Sequence, residues 1–350
     1  MTSDNFKKLP ALRGVINLLF SVALAALFLY LAFSDVNFNE VLELVSQASV
    51  IWAIVFSFAI LFGHFIRALR WKYILHSVKP DVKMWNLFGA LMIGYGVNCV
   101  TPKLGEVTRA IMIGKYENLS RSSMFGTVIV ERVIDIISLG AAVLISAFIW
   151  SSSLYETFPW LEITLYISAA ALIAVLLMIY LSIKFREKFY SYFVQIIGKF
   201  SQKFAERLGY IFEMLIQGFT SLKGTKNYVL TIITSVILLL VYALTSYIGF
   251  FMLDIQTAYT VTFEMGWILM SISAIGVVIP TPGATGSYHA LAKNTLVLLF
   301  GFGETISAAY AFLTHIISYF LFIVVALVMY FVLDKQHTSI FKIFKSNIDE

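Results

Sequence analysis

Between Ile306 and Leu333 the chain contains no Asp, Glu, Lys or Arg, and the same holds from Gly14 to Ser34 and from Tyr228 to Leu253. About 20 apolar residues in an α-helix cross a bilayer, and in hydrocarbon every backbone polar group must be satisfied within the protein. Several such runs in one chain restrict it to an all-α polytopic integral membrane protein. Composition agrees: 60% of the 350 residues are hydrophobic and 13% charged, against roughly 25% charged in a soluble domain. The net charge of +5 is modest and matters through its placement along the chain; no nucleic-acid partner is expected. A single cysteine, Cys99, excludes an intrachain disulfide and reads as a small apolar filler.

Charge placement orients the spans. Lys7, Lys8 and Arg13 precede the first run, which is too long for a signal peptide and is retained as a span. The following loop has Asp35, Glu40 and Glu43 and no base. The second span, Val50 to Ile66, ends at Arg67, Arg70, Lys72, Lys79 and Lys83. Basic residues collect on the cytoplasmic side, so the N-terminus is expected inside and the first loop outside. Further spans are expected at about Arg121–Trp150, Ile163–Ile183, Tyr228–Leu253 and Ile306–Leu333. Asn118-Leu119-Ser120 fits a glycosylation pattern but falls on the cytoplasmic side. The expectation is six full spans, with both termini inside.

Two further apolar segments are broken. Gly94 to Ala110 reads GYGVNCVTPKLGEVTRA, and Gly276 to Ala290 reads GVVIPTPGATGSYHA. One offset pairs Gly96 with Gly276, Val97 with Val277, Thr101 with Thr281, Pro102 with Pro282 and Ala110 with Ala290. Proline removes a donor and restricts the residue before it, whereas glycine permits a sharp reversal. The breaks are assigned to Pro102 and Gly105 in the first segment, and to Pro280, Pro282, Gly283 and Gly286 in the second. A full crossing at the first would carry Lys103, Arg109, Lys115 and Arg121 outside. A re-entrant hairpin over about 84–115, or a pair of crossings, keeps them inside; the re-entrant form is favoured. A second hairpin is expected over about 265–300. Three spans lie between the hairpins, so they enter from opposite sides, as in inverted repeats with binding sites near the midplane.

Charged residues at membrane depth cost about 2.5–3.5 kcal/mol each on insertion scales and need partners or roles. Glu106 and Arg109 are spaced to share a helix face, as are Glu131 and Asp135, with Arg132 beside them. One reading is a buried network, Glu131, Arg132 and Asp135 included, that pins the first hairpin to the third span. The other is that Arg109 and Lys103 bind an anionic head group, helped by Glu106, Asn98, Thr101 and a helix start after Pro102. Arg67 and Arg70, with Trp71, read most simply as interfacial anchors and secondarily as lipid contacts. His64, His289 and His315 are read as hydrogen-bonded packing residues, and Lys293 as reaching the outer interface by snorkelling. Between Lys184 and Asn227 apolar residues recur every three or four positions. That amphipathic cytoplasmic segment (184–227) packs on the core or lies on anionic inner-leaflet lipid. Walker A, H-E-x-x-H and G-x-S-x-G patterns are missing, and no metal or cofactor is expected.

Four pieces together resemble the lysylphosphatidylglycerol synthase transmembrane, or flippase-like domain, family. They are RALRWKYIL (Arg67 to Leu75), GYGVNCVTPKLGEVTRAIMI (Gly94 to Ile113), VIVERVIDIISL (Val128 to Leu139) and IPTPGATGSYHALA (Ile279 to Ala292). The resemblance covers nearly the whole chain as one domain, 1–350. Ala284 replaces the second glycine of the family's Pro-Gly-Gly, and His289 stands near an expected acid. The resemblance implies a multi-pass protein of a bacterial-type cytoplasmic (inner) membrane. It further implies a lipid flippase or transporter that moves phospholipid or lipid-linked head groups between leaflets, without its own enzymatic activity. The aminoacyl-transferase domain of bifunctional members is not expected here. Two alternatives stay open: a membrane-embedded lipid-modifying enzyme using Glu131 and Asp135, and a non-transporting accessory protein for a partner synthase.

Overall fold

The computed structural model describes residues 4–76 and 78–150, isolated helical positions between 166 and 177, and residues 224–336. Most of the expected fourth span (163–183) and nearly all of the amphipathic segment (184–227) lie outside the described residues. Every regular element among the described residues is helical. In chain order these are α1 (Asp4–Phe33), α2 (Phe38–Ser46), α3 (Val50–Leu75), α4 (Met84–Val100), α5 (Leu104–Tyr116) and α6 (Arg121–Ile149). They continue as α7 (Thr225–Met252), α8 (Phe263–Val278), α9 (Ser287–Asn294) and α10 (Glu304–Gln336). A 3-10 turn at Pro282–Ala284 and a π turn at Thr295–Leu299 flank α9.

Among the described residues, four helices are long and apolar enough to cross a membrane, over Ile16–Phe33, Val50–Leu75, Thr225–Met252 and Glu304–Leu333. They match the expected first, second, fifth and last spans. α6, with 29 residues, stands at the place of the expected third span but is not one of these four. α4 and α8 are shorter, with 17 and 16 residues. At 1.5 Å per residue each reaches about 25 Å, less than the roughly 30 Å of a hydrocarbon core. These two are the entering arms of the broken hairpins.

The helix boundaries follow local chemistry. Ser120 caps α6 by accepting the Ser123 N–H at 3.2 Å, and Thr262 caps α8 by accepting the Met265 N–H at 3.4 Å. α8 ends at Val278 because Pro280 forces Ile279 into extended backbone, at φ −68° and ψ 129°. The first loop holds a helix that sequence reading left out. Asn37 caps α2 by accepting the Asn39 N–H at 3.1 Å, and Val41 is buried against Ala308 and Ala309. A nine-residue helix with one buried apolar position is too short a periodic signal to stand out.

The chain forms two compact units. Of the described residues, the first comprises 4–64, 89–109 and 240–336, and the second 65–76, 78–88, 110–150 and 224–239. In the first, Phe56, Ile60, Ile248, Met252 and Leu313 form one core, and Phe250, Leu269, Leu296, Phe302 and Tyr310 a second. α9 packs against α8, α10 and α1. The second unit holds Trp71, Ile74, Leu75, Leu87, Met112 and Met124 fully buried.

Candidate functional site

α4 and α5 run back on each other around a turn at Thr101–Lys103. Lys103 takes the left-handed conformation, φ 67°, unusual for a residue with a side chain. Gly105 is not in the break, as the sequence suggested, but in the first turn of α5. A Cβ there would meet the Gly94 carbonyl oxygen and the Asn98 side chain at 2.7 Å, so a glycine is what lets the two arms touch. Asn98 Oδ1 accepts the Gly105 N–H at 2.7 Å, one of the four donors a helix start leaves open. Its Nδ2 donates to Glu106 at 3.3 Å. Arg109, one turn beyond Gly105, is 2% exposed.

The second hairpin closes the same way. A Cβ on Gly276 would meet the Ser287 carbonyl at 2.8 Å, and the Ser287 hydroxyl donates to the Gly276 carbonyl at 2.7 Å. Gly94 and Gly105 are therefore the packing counterparts of Gly276 and Ser287. Gly96, which the sequence offset pairs with Gly276, instead lies against Ala326 of α10. Pro280 and Pro282 bracket the reversal, and Gly283 and Gly286 take φ of 56° and 85°.

The two breaks meet. Lys103 Nζ donates to the Val278 carbonyl at 3.1 Å, at the open C-terminal end of α8, where a cation is favoured by the helix dipole. Gly283 sits against Tyr319 and against Cys99, whose Cα is 3.4 Å from where a glycine-borne Cβ would be. The Tyr319 hydroxyl donates to the Cys99 carbonyl at 2.8 Å, satisfying backbone just before the first break. Asn98, Thr101, Pro102, Lys103 and Glu106 thus share one locality with Val278 and Gly283. Thr101 itself turns inward, donating to the Val97 carbonyl at 3.1 Å.

The second unit has its own charged cluster. Arg67 Nε lies 2.7 Å from Glu131 Oε1, and its Nη2 donates to Asp135. Arg70 Nη2 pairs with the other Asp135 oxygen and lies 3.6 Å from Glu131, while its Nη1 reaches Ser235 at 3.3 Å. Arg132 lies 3.4 Å from Asp135. Arg67, Arg70 and Glu131 are 5%, 1% and 0% exposed, so the interfacial reading of both arginines is corrected. The physical reason is that α3 continues as helix to Leu75 and carries both guanidinium groups beside the α6 carboxylates. Trp71, expected at an interface, is likewise fully buried and donates to Thr127 at 3.1 Å. The network also ties the second span to the third; the sequence reading had tied the first hairpin to the third span.

One other expectation changes. Lys293 does not snorkel: it is 3% exposed and pairs with Glu304 at 2.7 Å. Glu117, which sequence reading passed over, is buried and accepts from Lys79 at 2.9 Å, the Lys83 N–H at 3.2 Å and Asn86 at 2.8 Å. Hydrogen bonding to Glu117 raises the Lys79 pKa above 10.5. A helix C-terminus followed by Glu-Asn carries no sequence pattern that could have marked it.

Similar proteins place the chain among membrane proteins. It is 26% identical over 275 residues to the UPF0104 membrane protein of Pyrococcus horikoshii, covering 73% of this chain and 79% of that one. It is 36% identical over 117 residues to a UPF0104 membrane protein of Methanothermobacter thermautotrophicus, 33% of each chain. With the one from Methanocaldococcus jannaschii it is 34% identical over 73 residues, 20% of this chain and 22% of that one. The matched region thus spans about a third of the Methanothermobacter relative and about a fifth of the Methanocaldococcus relative. No solved structure matches the chain. The family of the lysylphosphatidylglycerol synthase TM region matches residues 18–326, and the chain, a multi-pass membrane protein, belongs to that family.

Proposed function

We propose that this protein moves phospholipid or lipid-linked head groups between the leaflets of a cytoplasmic membrane, without chemical change to the lipid. The observation that carries the reading is the bond from Lys103 to the Val278 carbonyl. It joins the break of one hairpin to the frayed end of the other, at a place where backbone has left its helix. A phosphate is a stronger partner for an ammonium than a neutral carbonyl is. An anionic head group that takes Lys103 therefore loosens the contact between the hairpins. Arg109, buried behind the Gly94–Gly105 contact, becomes the next cation it meets, and a guanidinium grips phosphate with two parallel bonds. Asn98 and Glu106 hold the start of α5 in register. Arg67 and Arg70, engaged by Glu131 and Asp135, act as scaffold in this reading. An anionic inner leaflet supplies the attraction that brings head groups to the site.

The test is leaflet exchange of labelled phospholipid in vesicles reconstituted with wild type, Lys103→Ala and Arg109→Ala. Faster exchange than in protein-free vesicles, reduced by each substitution, supports the proposal. Equal exchange in all three protein samples removes both residues from the mechanism. A changed head group after incubation would favour a lipid-modifying enzyme instead.

A further inference from the structure

The three membrane histidines read in sequence as isolated packing residues, yet two of them meet. His289 on α9 and His315 on α10 have ring centroids 4.4 Å apart. Both adjoin the second break. His289 Nδ1 accepts the Gly286 N–H at 3.2 Å, and His315 Nε2 lies 3.3 Å from the Thr285 hydroxyl. His289 is 3% exposed. We infer that the His289–His315 pair is a proton-binding site that opens the second hairpin, so that the lipid movement proposed above is coupled to protons.

The hydrogen bond sets the logic. A ring nitrogen that accepts an N–H carries no proton, so neutral His289 has its hydrogen on Nε2. Adding a proton puts a second N–H on Nδ1, facing the Gly286 N–H. Two donors cannot share that position, so the bond that caps the start of α9 is lost. Gly286, at φ 85°, is free to rotate away, as a residue with a Cβ is not. Gly286 also lies against α1, where an added Cβ would come 2.8 Å from the Phe28 side chain. A movement there is therefore felt by both helices. Protonation instead on His315 leaves the ring donating to the Thr285 hydroxyl, so the bond that breaks is the one at His289. Two positive rings at this separation repel, so the pair takes one proton.

The surroundings leave the proton to this pair. From α10 it is faced by Tyr319, 5.8 Å from His315, and by Thr314, which bonds Tyr288 of α9 at 3.0 Å. Tyr288 lies 5.7 Å from His315 and 6.1 Å from His289. From α1 the neighbour is Phe33, at 5.6 Å from His289. Between Ile16 and Phe33 of α1 the only titratable residue is Tyr30, which is exposed; between Met265 and Val278 of α8 there is none. On α9 itself Lys293 is one turn away, its charge matched by Glu304 of α10. Tyr319 links the pair to the junction, because its hydroxyl holds the Cys99 carbonyl at the first break.

Cys99, the only cysteine, is 2% exposed and gives a readout independent of lipid. The experiment uses full-length protein in nanodiscs and measures maleimide labelling of Cys99 from neutral pH in steps down to about pH 4. His289→Gln and His315→Gln are labelled beside wild type, so the fall in thiolate with acid cancels in the ratio. The ratio of wild-type to variant rate is expected to rise several-fold on acidification, and lipid exchange by wild type to rise with it. A ratio that stays flat against both variants overturns the proton site, whatever the exchange assay gives. A rising ratio with no lipid exchange at any pH keeps the proton site and removes the transport reading.

Discussion

Arg67 and Glu131 meet at 2.7 Å, Nε to Oε1, with 5% and 0% of their surfaces exposed. They stand on α3 and α6, 64 residues apart in the chain. Neither charge can be kept in such a place without the other, because an ion desolvated alone costs several kcal/mol. Asp135, Arg70 and Arg132 join the same cluster, which holds the second span to the third.

Removing Arg67 takes from buried Glu131 a partner at 2.7 Å. Arg67→Ala is expected to destabilise the protein by about 3–5 kcal/mol, as for other broken buried pairs. Arg67→Lys should lose less, since it keeps the charge but lacks the planar fork that reaches Glu131 and Asp135 together. Thermal unfolding of the detergent-solubilised protein measures both; an Arg67→Ala melt equal to wild type would sink the account.

Gly105→Ala places a methyl group against the Gly94 carbonyl and Asn98, where backbone cannot yield cheaply. The expected cost is about 1–3 kcal/mol, typical of overpacking. Lipid exchange should fall as the arms of the first hairpin part. Asn98→Ala tests the same turn more gently and should cost about 0.5–2 kcal/mol, as for other lost caps. Alanine tolerated at 105 with unchanged melting and exchange would show that the arms do not depend on this approach.

Lys103 allows backbone and side chain to be separated. Its left-handed φ of 67° favours glycine, so Lys103→Gly should hold or raise stability by up to about 1 kcal/mol. The same change removes the ammonium from Val278, and lipid exchange should drop. Stability and exchange moving in opposite directions is the expected pattern. If exchange in Lys103→Gly matched wild type, the ammonium would have no part in transport.

Lys79 and Glu117 predict an alkaline limit. The folded-state pKa of Lys79 is raised by its bond to Glu117, so the pair's contribution is complete below the ordinary lysine value of 10.5. It is lost as pH climbs through the raised value. Wild type should therefore melt above Lys79→Gln at neutral pH, with the gap closing only beyond pH 10.5. A gap that stays open well above that pH would contradict the assignment.

Patterns with short range were legible in the sequence. Uncharged runs located α1, α3, α7 and α10, because crossing hydrocarbon demands about 20 residues whatever their neighbours are. Pro102, Pro280 and Pro282 marked the two breaks, because proline acts through its own ring and the residue before it. Lys103, Asn98 and Glu106 were picked out as charged or polar groups beside those breaks, and the tertiary structure brings them to one junction.

What the sequence could not contain is which distant groups become neighbours. Arg67 and Arg70 look the same whether a helix stops at Ile66 or runs on to Leu75, and only the fold set them against Glu131 and Asp135. Gly94 rather than Gly96 took the close approach to the second arm, a choice made by how the arms rotate against each other. His289 and His315 carry no mark of pairing across the residues between them. Membrane crossing is decided locally, by the cost of exposing backbone and charge to lipid. Partnership is decided by packing, and packing exists only once the helices have met.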